Sequence, residues 1–151
     1  MKKIISILIL TSFYLTTNAQ FAARMEVKEP IKGVCDNKNI YVVFPMFKGQ
    51  EEARCPLSKK EITKRLNAEV TFLKDSSTYA DKGMVNIIIN CKGEVVRCEM
   101  DNKTKNPELD KEIVAVFNSL GDWKPGKING DKVDTSKLWS FEIKDGNISI
   151  E

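Results

Sequence analysis

The 151-residue chain contains no histidine. That removes the commonest general base near neutral pH, the Ser-His-Asp and Cys-His nucleophile systems, and most zinc sites. Its four cysteines form no Cys-x-x-Cys pair and are too scattered for a finger-type zinc site, so neither thiol redox chemistry nor metal binding is expected. The five prolines do not cluster, and the chain has no repeat and no low-complexity tract. No stretch interleaves lysines with aromatics as a nucleic-acid platform would. No apolar run approaches the ~20 residues that cross a bilayer. No spacing of carboxylates points to acid–base work. The sequence therefore indicates no catalytic residues and no cofactor, and the protein is expected not to be an enzyme.

What is present begins with a leader pattern. Lys2 and Lys3 precede a mostly apolar run from Ile4 to Tyr14, and Thr17-Asn18-Ala19 offers small side chains before a cut. Residues 1–19 are expected to be a cleavable signal peptide. The first cysteine is Cys35, so no lipid-anchoring cysteine follows the leader. The formal net charge is +3, and loss of Lys2 and Lys3 leaves +1. A chain this close to neutral has no strong electrostatic attraction for nucleic acid or an anionic membrane. Residues 20–40 read as a polar lead-in or linker, with Pro30 and Gly33 as breakers, and residues 41–151 as one domain.

Ile40 to Phe44 is a short strand candidate stopped by Pro45. Ser58 and Glu61 make a capping box for a helix predicted over Lys59 to Leu73, with Ile62, Leu66, Val70 and Leu73 as its buried stripe. Lys59, Lys60, Lys64 and Arg65 lie mostly off that stripe and read as a solvated basic face. Met84 to Asn90 and Glu94 to Met100 are strand candidates joined through Cys91-Lys92-Gly93, although Ile88 breaks strict alternation. Asn106 caps a helix predicted from Pro107 to Leu120, whose first turns carry Glu108, Asp110 and Glu112. Its apolar face, Leu109, Ile113, Val116, Phe117 and Leu120, is wide enough to cover a sheet. Trp123-Lys124-Pro125-Gly126 and Asn129-Gly130 mark turns before a third strand, Leu138 to Ile143. Ile148 to Ile150 is a short terminal strand candidate. The fold class is therefore α+β: a small antiparallel sheet with a β-β-α-β core and two helices on one face.

Several words in this order resemble the C-terminal periplasmic domain of TonB-type energy transducers. Phe44-Pro45 with Gly49 to Ala53 is similar to that family's lead-in. Lys82-Gly83 precedes the first strand, and Cys91-Lys92-Gly93 takes the place of an Asp-x-Gly hairpin. Asn106-Pro107 with Leu109 to Glu112 resembles its helix start. Trp123-Lys124-Pro125-Gly126 and Asn129-Gly130-Asp131-Lys132-Val133 resemble its most distinctive pair of words. The resemblance covers Tyr41 to Ile143 and implies a periplasmic, non-catalytic protein-binding module related to TonB-dependent transport. Such a module adds an extended peptide of an outer-membrane receptor, the TonB box, to the edge of its third strand. The equivalent residues here are Lys137, Leu138, Trp139, Ser140, Phe141, Glu142 and Ile143. Leu138-Trp139-Ser140-Phe141 replaces the usual proline-containing pattern, and Trp139 and Phe141 share one face and read as core. The implied state is a monomer or a strand-exchanged dimer. Energy transduction by this chain alone is not expected, because it carries neither a proline-rich spacer nor a membrane-spanning run.

Four cysteines in a chain bound for an oxidising compartment favour disulfides among Cys35, Cys55, Cys91 and Cys98. Cys91 lies at the hairpin tip and Cys98 on the core side of its strand, too far apart for a local bond, so bridges to Cys35 or Cys55 are expected. An alternative function follows from this framework: a disulfide-stabilised secreted scaffold that reuses the fold for another partner. In that case the third strand is covered, by Asn147 to Ile150 or by residues near Tyr41.

Overall fold

The computed structural model describes residues 22–27 and 29–151, so the leader expected at residues 1–19 lies outside the described residues. Nine strands and two α-helices follow in the order β1 (Ala23–Glu26), β2 (Asn39–Val42), β3 (Gln50–Glu51), α1 (Lys59–Glu69), β4 (Asp81–Ile89), β5 (Val95–Asn102), α2 (Pro107–Asn118), β6 (Gly126–Ile128), β7 (Asp131–Val133), β8 (Thr135–Lys144) and β9 (Asn147–Ile150). The main sheet runs β1-β2-β8-β4-β5, with β9 added along β8. All its pairings are antiparallel except one parallel bridge between Tyr41 and Thr135. A second sheet, β3-β6-β7, pairs Gln50–Glu51 with the two words around Pro125 and Asn129.

Both helices start where the side chains dictate. The Glu61 amide donates to the Ser58 hydroxyl at 3.3 Å, and the Ser58 amide donates to the Glu61 carboxylate at 2.8 Å. Asn106 accepts from the amides of Glu108 and Leu109, with Pro107 as the first helical residue. The first helix does not reach Leu73, as periodicity suggests; it stops at Glu69, and Phe72–Asp75 forms a separate 3-10 turn. The cause is Glu112 of α2, whose carboxylate accepts from the amides of Thr71 and Phe72 at 2.6 and 3.0 Å. Val70 and Thr71, both β-branched, give up the helix at little cost.

Helices and sheet close on one main core. Ile62 and Leu66 of α1 and Leu109, Ile113 and Phe117 of α2 pack with Val85, Ile87 and Ile89 of β4 and Phe141 and Ile143 of β8. Full burial of each such side chain stabilises by about 1.5–3 kcal/mol. Ile88 breaks the alternation of β4 because it faces the other way, where Ile31 and Ile40 cover it in a second, smaller core.

Those partners come from residues expected to lead into the domain. β1 pairs with β2, Asn90 donates its side-chain amide to Gly33 O at 2.8 Å, and a disulfide joins Cys35 to Cys91. The segment is thus fastened to the sheet by backbone, side chain and sulfur. Cys55 and Cys98 are free thiols, and burial pushes that of Cys98 up to about 12.

Candidate functional site

The candidate peptide-binding residues lie on β8, whose inner side is fully occupied by β4 from Asp81 opposite Ile143 to Ile89 opposite Thr135. The outer side falls into three parts. At the start, the Tyr41 amide donates to Asp134 O at 2.9 Å, beside the Tyr41–Thr135 bridge. At the end, β9 pairs with Phe141 through Lys144, returning on a two-residue turn in which Asp145 and Gly146 both have positive φ. The Glu151 amide extends this pairing to Ser140 O at 3.1 Å.

Between these parts, no strand among the described residues pairs with Ser136 to Trp139, which leaves a window. The carbonyls of Asp134 and Ser140 face outward, so antiparallel alternation turns the amide and carbonyl of Leu138 outward too. A groove of about 350 Å³ runs along this window, walled by Val42, Val43 and Phe44 on one side and by Lys59 and Glu151 on the other. Leu138 is 51% exposed on the face away from the helices. At the groove floor, the Thr135 hydroxyl and the Trp139 indole N–H are buried without a hydrogen-bond partner among the described residues.

The predicted edge residues therefore divide. Leu138 and Ser140 border the window, together with Ser136, which precedes the predicted residues. Trp139 and Phe141 are core: Trp139 meets the Trp123 ring edge-to-face at 6.4 Å and the Phe117 ring at 6.2 Å. Lys137 reaches back to Glu52 at 2.9 Å and to Ala53 O at 3.3 Å, with its ammonium 5.5 Å from the Trp139 ring centre. Glu142 and Ile143 pair with β9.

The word pair builds the wall behind this site. Trp123 is buried, and its amide donates to Gly93 O at 2.9 Å. Gly93 has φ +94°, and a Cβ there would stand 2.0 Å from Trp123 O, so the hairpin tip admits no other residue. Lys124 and Arg54 exchange two backbone bonds of 2.9 Å each, and Gly126 opens β6. Asn129 and Gly130, at φ 54° and 93°, turn β6 into β7.

Sequence reasoning missed Asp134, which is buried and joins three segments. Its carboxylate accepts from the amides of Cys35 and Asp36, both at 2.7 Å, and of Cys91 at 2.8 Å. Cys35, Cys91 and Asp134 also form a close group of metal-ligating types, but the two sulfurs are bonded to each other and the carboxylate is taken by amides. No sequence signal marks this aspartate, because its partners are backbone groups.

Comparison with family models, curated proteins and solved structures found no match for this chain. The fold and the groove are therefore the basis for a functional reading.

Proposed function

We propose that this is a non-catalytic protein-binding module of the periplasm, of TonB C-terminal type, that seats an extended peptide in the window of β8. One observation carries the reading: β8 is paired along its whole inner side and at both ends of its outer side, yet among the described residues it is open from Ser136 to Trp139. A short strand laid there bonds with the outward amide and carbonyl of Leu138 and places alternate side chains against Val43 and Phe44. The seat holds only a few residues, which implies a short motif and modest affinity. An outer-membrane receptor peptide such as a TonB box is the partner class the resemblance implies.

The same pairing supports a second reading. β9 and β2 occupy much of the edge that a transducer leaves open, as a disulfide-stabilised scaffold with a different partner would require. Titration of the chain from Gln20 onward, the form expected after leader removal, with TonB-box peptides distinguishes the two. Strand addition gives NMR shifts at Ser136 to Ser140 and Val42 to Phe44. Absence of shifts there at about 1 mM peptide rejects the peptide seat and leaves the scaffold.

A further inference from the structure

The main sheet ends on β5, and no strand among the described residues pairs with its outer side. Alternation fixes what that side presents. The Asn90 amide donates to Glu94 O at 2.9 Å, so the even-numbered residues of β4 turn their backbone groups towards β5. Asn86 and Ile88 stand opposite Glu99 and Arg97, which therefore bond to β4. The amide and carbonyl of Cys98, between them, point outward. Register shifts at Met84/Val85 and Ile88/Ile89 confine the regular stretch to Arg97 through Met100. Its side chains divide between the faces. Cys98 and Met100 pack against the main core, whereas Arg97 and Glu99 lie on the opposite face, 38% and 56% exposed and 3.9 Å apart. Cys98, Met100, Pro107 and Val114 are the apolar lining of a groove of about 500 Å³ between β5 and α2 that Lys103 and Lys111 also line.

We propose that β5 is a self-association edge, on which a second copy of this chain pairs antiparallel about a twofold axis at Cys98. Charge selects the register. With Cys98 opposite its own copy, Arg97 of each chain faces Glu99 of the other, giving two cross-strand pairs of opposite sign. A slip of two residues one way sets Arg97 against Arg97, and the other way Glu99 against Glu99. A slip of one sets the core-side residues of one copy against the solvent-side residues of the other. The outward amide and carbonyl of Cys98 then bond with their copies, and the grooves beside α2 come to lie next to each other. No element is exchanged, and β8 is untouched.

Sedimentation velocity and amide exchange on the chain from Gln20 onward, from about 10 µM to about 1 mM, test this. The mass rises from monomer to dimer with concentration, and protection of the Cys98 amide rises with it. Arg97→Glu and Glu99→Arg each weaken association about tenfold, and the two together restore it to within about threefold. Both positions are solvent-facing, so an unchanged thermal midpoint shows that the variants fold. A monomer at about 1 mM, a dimer indifferent to the charge swap, or protection that grows at Leu138 instead of Cys98 overturns the proposal.

Discussion

Asp134 shows how one carboxylate can organise a fold at the scale of a residue. Three amides from two distant segments converge on it, and each would be left part-buried and unsatisfied without it. Asp134→Ala is expected to lower stability by about 2–3 kcal/mol, read as a fall in the urea midpoint. Glu112 holds Thr71 and Phe72 in the same way. Burial raises its carboxyl, but the hydrogen bonds from Thr71 and Phe72 outweigh this and hold it below its ordinary value of 4.5. The unfolded chain therefore takes up the proton first as pH falls. The contribution is present above about pH 4.5 and is lost as pH drops through the folded value. Glu112→Gln should thus be less stable by about 1 kcal/mol near neutrality, with solvent screening allowed for, and the gap to the parent should close on acidification. Thermal midpoints at about pH 7 and about pH 3 measure both halves of this expectation. Residues of this kind are not legible in a sequence. A capping serine announces itself three residues from its glutamate, as Ser58 does, but a carboxylate that serves a backbone 40 or 99 positions away leaves no local trace.

At the scale of elements, the strands and helices follow from periodicity, and their lateral neighbours do so only in part. β4, β5, α2 and β8 were readable from alternation, the Asn106-Pro107 start and the apolar stripe. That β8 is flanked by Asn147 to Ile150 and by Tyr41 was foreseen as the covered-strand alternative, but β1 not at all, since Ala23–Glu26 is mostly exposed. Ile88, visible as a break in alternation, carried more than that: an apolar residue on the polar face of a strand asks for a cover, which Ile31 and Ile40 provide. The attachment of β9 rests on Asn67 of α1, whose side chain accepts from the Ile148 amide and donates to the Ile148 carbonyl, both at 2.8 Å. Asn67→Ala is expected to cost about 1 kcal/mol and to speed amide exchange at Ile148. If the peptide seat lies on β8, the same variant binds peptide more tightly, because β9 yields more readily at the edge.

At the scale of the whole molecule, the two cores are unequal. The main core joins both helices to the sheet, while the smaller one is three residues deep and is held in place by the disulfide. The bond closes a loop across a sequence separation of 56, worth up to about 4 kcal/mol in the chain-entropy account. Reduction should therefore act unevenly. Amides of β1 and β2 exchange near the solvent limit while those of β4 stay protected, a local opening and not global unfolding. Equal loss of protection in both places would show that the layers unfold as one.

Asp134 also has a bearing on how the sulfurs find each other. Each time the reduced segment closes onto the sheet, the Asp134 carboxylate is expected to bring the amides of Cys35 and Cys91, and so their thiols, together. Oxidation from that closed form starts from a pair at high effective concentration, while Cys98 is packed against the core. The aspartate is thus expected to favour this pairing, and Asp134→Ala to slow closure of the bond during oxidative refolding.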